Sequence, residues 1–270
     1  MLERIDSEPR DQPLRLSLAR VTSILPSEVV NLCLTLELAK EMGFPSITIE
    51  PPPPSFMEVF FWMFGFWKLF PEYAPPQPTQ NVTAQPNDRR IELHRFSDLA
   101  GARALRDRLP GVLTAAPGAA DVPGGEQTLR RLAGTVYELA ENTLAHSRRL
   151  HPDRPIIGYY MVQRLPNRRR TSIAVGDIGD GIPATMRVRY PDLTDDIGAI
   201  QAAFEPGVSG DDGGGNGLSV AHEAACTMPG GVMTIESGAA RVRVRRNGIN
   251  EQHLYTASWP ATRISFMFNL

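Results

Sequence analysis

Residues 170–181, RTSIAVGDIGDG, run an apolar strand straight into a glycine-rich turn, with Asp177 at the junction. Gly179 and Gly181 lack a Cβ and accept turn geometry that other residues resist, so the strand ends there. Whatever sheet the chain builds therefore carries an acid at a strand end beside a tight turn. Two further stretches put polar chemistry into regular structure. In VYELAENTLAHS, residues 136–147, a step of about 100° per residue gathers Glu138, Glu141, Asn142 and His146 into one polar sector, opposite Val136, Leu139, Ala140 and Leu144. Alone, this is an amphipathic surface helix with a solvated face. In GGGNGL, Gly213, Gly215 and Gly217 alternate immediately before a helix. Such a run is a flexible linker, or a place where backbone N–H groups and a helix N-terminus approach phosphate oxygens. It is not a P-loop, since no Lys-Ser/Thr follows, and it does not match GxGxxG.

The punctuation divides the chain. Residues 74–90, rich in Pro, Gln and Asn, read as a linker between a first unit, 1–73, and a second, 91–270. The first unit reads as strand 14–21, helix 26–43, strand 46–51 and an aromatic helix 56–70, a small α/β layer. The second reads as strand 90–96, helix 98–109, the polar-striped helix, strands 155–165 and 170–179, a long segment 182–216, helix 219–228, and strands 231–237, 240–246 and 263–270. Helices on one side of a mostly antiparallel sheet make an α+β sandwich.

Composition narrows the function. With 270 residues, 42% hydrophobic and 21% charged, the chain has the profile of a soluble globular protein. A net charge of −2 leaves no electrostatic footprint for nucleic acid, and the basic runs at 168–170 and 241–246 read as solvated hairpin ends. Cys33 and Cys226, far apart and without CxxC spacing, argue against a disulfide framework or a zinc site. They are expected as buried free thiols in a reducing compartment, which points to the cytoplasm. The first ten residues have no apolar core of the signal-peptide kind. The run from Phe56 to Phe70 is too short to span about 30 Å of hydrocarbon and contains Glu58 and Lys68, so a buried helix or a docking surface is expected rather than a membrane span.

Taken together, E-x-x-x-N, then D-x-G-x-G, then G-x-G-x-G-L resemble the ATP-binding domain shared by DNA gyrase, a heat-shock chaperone, histidine kinases and a mismatch-repair protein (the GHKL, or histidine-kinase-like, ATPases). YELAENTLAHS, VGDIGDGIPATM, FEPGVSG, GGGNGLSVAHEAA, GGVMTIESG and PATRISFMF are similar to bacterial stand-alone members and anti-sigma-type kinases, over residues 91–270. The resemblance implies a two-layer α/β sandwich with nucleotide between sheet and helices, and ATP and Mg²⁺ as ligands. It implies Asp177 as the adenine reader, since a carboxylate accepts from the exocyclic amine and would face the guanine carbonyl unpaired. It implies Asn142 as the Mg²⁺ ligand, a neutral hard oxygen for an ion that takes its other ligands from phosphates and water. Glu138, one turn earlier, is implied to orient or deprotonate a nucleophile at the γ-phosphate. Gly179 and Gly181 form the turn, Gly213, Gly215, Gly217 and Leu218 the phosphate loop and lid, and Thr262 the threonine near adenine.

Residue 138 is Glu, as in hydrolysing members and anti-sigma serine kinases, where classical histidine kinases would have Asn. A helix pair bearing a phosphoacceptor histidine is not seen upstream. The first unit resembles a STAS domain over LRLSLARVTSILPSEVVNLCLTLELAKEMGFPSITIEPP, but Pro26 stands where that family has its phosphoserine, with Ser27 beside it. The expectation is an ATPase or protein Ser/Thr kinase of bacterial signalling with a regulatory protein partner. The alternatives are a nucleotide-gated switch with negligible turnover, or a histidine-kinase catalytic module acting in trans.

Overall fold

The apolar strands around the D-x-G-x-G turn pair with one another in the computed structural model of the chain, which describes residues 10–53, 56–78, 90–146, 153, 155–165, 169–208 and 216–270. Among these residues the main sheet has five strands: β3 (Arg90–Phe96), β4 (Gly158–Leu165), β5 (Arg170–Asp177), β6 (Val232–Arg245) and β7 (Gly248–Asn269). Their order is β3-β4-β5-β7-β6, antiparallel at every pairing. β5 lies at the centre and ends at Asp177, opposite Thr262 of β7 and Gly158 of β4.

Alternation sorts the side chains of the sheet onto two faces. On the front, Ile173 and Val175 of β5 join Ile264 and Phe266 of β7 beneath helices α4 (Leu99–Thr114), α5 (Gly125–His146) and α8 (Gly217–Thr227). Helix α5 buries Val136, Leu139 and Ala140 in this core, the apolar side opposite its polar stripe. Helix α4 runs on through Pro110 to Thr114, one turn past the expected stop, because Val112 and Leu113 are buried in the same core. Helices α6 (Ile182–Arg189) and α7 (Asp196–Ala202) occupy the long segment after the glycine turn.

The back face is covered too, so the front helices and the sheet are two layers of three. β1 (Leu14–Ser17) and β2 (Ile47–Glu50) form a parallel pair joined through helix α1 (Pro26–Glu41). Pro26 opens α1 where its missing N–H costs no bond, and Glu28 Oε2 accepts from the Leu25 amide at 2.6 Å. Val29, Val30, Leu32, Cys33, Leu34 and Leu36 are all buried, so α1 is apolar nearly all round. A helix of this kind needs cover on more than one side. β4, β5 and β7 supply one side; β1–β2 and the aromatic helices α2 (Phe56–Met63) and α3 (Phe66–Leu69) complete the cluster. Phe60 stacks on Phe64 at 4.3 Å, and Phe70 on Tyr159 of β4 at 6.2 Å. The aromatic run is thus a buried element of the back layer, and no helix among the described residues is long and apolar enough to cross a membrane. Residues of the expected first unit share this cluster with Leu93, Met161, Ala174 and Ala261 of the large sheet. Most of the expected linker, 79–89, lies outside the described residues.

β6 bends sharply. Gly238 has φ 60°, and the register against β7 shifts on either side of it. Arg243 Nε consequently lies 3.5 Å from Thr234 Oγ1, nine residues away, where a straight strand would separate them by about 30 Å. This bend is why the sequence reads as two strands there. It returns Val242 and Val244 to the front core. β7 begins at Gly248, well before the expected start at 263. Cys33 is buried, whereas Cys226 is only partly so, its Sγ 3.4 Å from the Arg245 carbonyl; both are free thiols.

Candidate functional site

A pocket opens on the front of the sheet where β5 ends against the middle of β7, between α5, α6 and α8. Asp177, the terminal residue of β5, lines it with only 8% of its surface exposed. Thr143, one residue after Asn142 on α5, donates to Asp177 Oδ2 at 3.3 Å. Burial pushes the Asp177 carboxyl up to about 7, the nearby Asp180 charge adds to this, and the Thr143 bond opposes it. Thr262 stands across the ladder from Asp177, its Oγ1 3.0 Å from Ser237 Oγ on β6. Ser237 Oγ also accepts from the Ile182 amide at 2.9 Å, joining the start of α6 to β6. Gly181 has φ 80°, and a Cβ there would come within 3.0 Å of Ser237 Oγ. Gly181→Ala is therefore expected to cost about 1–3 kcal/mol from a positive-φ extended backbone that glycine alone adopts readily, read as a lowered thermal midpoint.

The remaining walls come from the two helices. Leu139, Asn142 and Thr143 of α5 and Leu218 of α8 line the pocket. Glu138 is not among the lining residues; it lies at the rim, where a Cβ on Gly217 would be 3.2 Å from its Oε2. The first residue of α8 and the Glu138 carboxylate thus adjoin each other. Burial raises the Glu138 carboxyl above its ordinary value, and Glu141 raises it further. Glu141 is more than a solvated acid, since it accepts from Tyr137 Oη at 2.5 Å. Gly179 is buried in the turn without lining the pocket. Gly213 and Gly215 lie outside the described residues, as does the His146 side chain.

Six of the expected residues, Asn142, Asp177, Gly181, Gly217, Leu218 and Thr262, line one pocket although they are spread over 120 residues of chain. Thr143, Ser237 and Gly176 belong to the same site and are not singled out in the sequence. A threonine inside a helix and a serine inside a strand are ordinary, and only pairing across elements gives them a role. Replacing Thr143 by Val is expected to remove about 1 kcal/mol of hydrogen bonding to Asp177 and to raise that carboxyl further, measurable by titration of its ¹³C-labelled carboxyl resonance.

The pocket thus carries a buried acceptor and apolar walls, Val175, Met186 and Ile264 among them, and is also lined by the first residue of α8 and the Asn142 amide, with the Glu138 carboxylate beside Gly217. A flat, largely apolar ring bearing a hydrogen-bond donor suits the acceptor and the walls, and an anionic group suits the helix end. No model of a known protein family matches the chain, and no curated protein matches it.

Proposed function

We propose that this chain is a Mg²⁺-dependent ATP-binding regulatory protein of the histidine-kinase-like sandwich type, an ATPase or protein Ser/Thr kinase in bacterial signalling. The observation that carries the reading is Asp177, a buried carboxylate lining a pocket with an apolar surround. A buried carboxylate is costly to ionise, and a ligand that donates to it offsets part of that cost. The adenine amine is such a donor; the guanine carbonyl is not. Thr262 and Ser237 adjoin the base, and the start of α8 faces the phosphates.

The residues present also fit magnesium. Among the described residues no cluster of three or more His, Cys, Asp or Glu would cage a metal by itself. Asn142 would serve as the protein ligand to an ion held mainly by phosphate oxygens and water. When bound, Mg²⁺ would neutralise the charge of the β- and γ-phosphates. Glu138, its carboxyl raised by burial, is suited to accept a proton from water or a hydroxyl nucleophile at the pocket rim.

A second reading is a nucleotide-gated switch with negligible turnover, its output a protein partner. It is favoured by Asp196 at the start of α7, which accepts from Arg187 Nη2 of α6 at 2.5 Å and from the Ala239 amide at the β6 bend at 2.6 Å. Helices that frame the pocket are thereby tied to an outer strand. Incubating the purified protein with γ-labelled ATP and Mg²⁺, with and without candidate partner proteins, tests both readings. Released phosphate or phosphoprotein supports the enzyme, and intact bound ATP the switch. No retained or consumed ATP would overturn both.

A further inference from the structure

The back of the pocket is built by the N-terminal helix. Alternation along the strands gives each front-facing site residue a neighbour on the opposite face. Asp177 is preceded by Gly176, where a Cβ would lie 2.9 Å from Leu34 Cδ1 and 3.0 Å from Val30 Cγ1, both on α1. Helix α1 therefore touches the β5 backbone itself, one residue from the buried carboxylate. Thr262 is followed by Arg263, which donates through Nη1 to the Ser27 carbonyl in the first turn of α1 at 3.1 Å and pairs through Nη2 with Glu236. Ser237, which holds Thr262 and the start of α6, follows Glu236 in turn. On all three strands the residue behind the site meets α1 or the ion pair that anchors it.

We infer that docking of α1 on the back of the sheet and nucleotide binding on the front are one coupled equilibrium, so that the N-terminal unit is a positioning element of the site and a handle for its regulation. The inference rests on the nucleotide reading of the pocket. With α1 in place, Gly176 and Arg263 hold the end of β5 and the facing stretch of β7 in the register that sets Asp177 beside Thr262. With α1 lifted, Gly176 loses its backing, Arg263 and Glu236 lose their link to Ser27, and the pocket loosens. Linkage makes the effect reciprocal: a ligand that needs the docked form stabilises it, up to about a hundredfold at ligand concentrations a hundred times Kd.

Hydrogen exchange on the full chain tests this, with a non-hydrolysable ATP analogue at saturation verified by calorimetry on the same sample. Amides of residues 29–37, which no nucleotide atom touches, are expected to exchange at least about tenfold more slowly with the analogue. Residues 56–63, in the same apolar cluster and leading to Phe64, whose carbonyl accepts from the Leu93 amide of β3, are expected to change less than twofold. Arg263→Met should weaken analogue binding about fivefold to tenfold, and Arg263→Lys, which keeps a donor for the Ser27 carbonyl, should restore most of it. If the analogue binds while exchange in 29–37 is unchanged, or slows no more than in 56–63, the coupling through α1 is refuted and the nucleotide reading stands. Should the analogue not bind at all, the nucleotide reading fails and this inference falls with it. Wild-type exchange decides the matter even where Arg263→Met fails to fold.

Discussion

Asp177→Asn is expected to make the unliganded protein more stable at pH 8 and at the same time to weaken ATP binding roughly tenfold to a hundredfold. The two effects share one cause. Burial lifts the Asp177 carboxyl from 3.8 to about 7, which corresponds to on the order of 4 kcal/mol of ionisation cost in the folded state. Between those two pH values the folded protein keeps a proton that the unfolded chain has released, so its stability falls as pH rises through that window and levels off above it. Asn cannot ionise and removes that decline. Thermal midpoints measured from pH 4 to 8 should therefore fall for the wild type and stay flatter for the variant, with Glu138, also raised, adding a smaller slope of the same sign. Binding moves oppositely, because the ionised acceptor lost on substitution is worth about 1.5–3 kcal/mol in a charge-assisted bond. Wild-type affinity for ATP should rise as pH increases through about 7, since the ionised carboxylate is the stronger acceptor for the amine's hydrogen bond. Equal calorimetric affinity for ATP and GTP, or a variant that binds ATP as tightly as the wild type, would remove Asp177 from this role.

Glu138→Ala is expected to lower turnover by about two to four orders of magnitude while ATP affinity stays within roughly threefold, because a general base acts on the transition state rather than on the bound ground state. Its place at the rim, off the pocket lining and against Gly217, agrees with that division. Asn142→Ala should do the reverse, erasing the dependence of nucleotide affinity on Mg²⁺. The raised Glu138 carboxyl also places the acid limb of the rate profile above the ordinary glutamate range. Steady-state release of phosphate, paired with calorimetry in the presence of Mg²⁺ or EDTA, separates the two variants. Equal loss of binding in both, with a changed circular dichroism spectrum, would make α5 merely structural. Undetectable wild-type turnover beside Mg²⁺-dependent binding would favour the switch.

Much of this architecture is legible along the chain. The polar stripe of α5 and its buried opposite side follow from a helical period, and β3, β4 and β5 from short apolar runs bounded by turn residues. So does the end of β5 at Asp177, where two glycines close the strand. These are local statements, set by sterics and by side-chain spacing over a few residues. The joining of Asp177 to Thr143 and of Thr262 to Ser237 is different, since each bond spans separate elements and depends on strand register. A pattern of period two says that residues alternate, without saying which face meets which helix.

The back layer shows the same limit. Helix α1 is apolar almost all round, a sequence property that requires cover on more than one side. That its cover is the reverse of the same strands that carry Asp177 and Thr262 was decided by packing between residues more than 130 positions apart, Leu34 against Gly176 and Ser27 against Arg263. The chain's own chemistry determined an acid at a strand end, a polar helix face and an apolar N-terminal helix, because steric and hydrophobic preferences act locally. Only the tertiary structure decided that the acid and the polar helix face meet in one pocket and that the N-terminal helix backs the strands behind it, because long-range complementarity is a property of the assembled surfaces and not of any one segment.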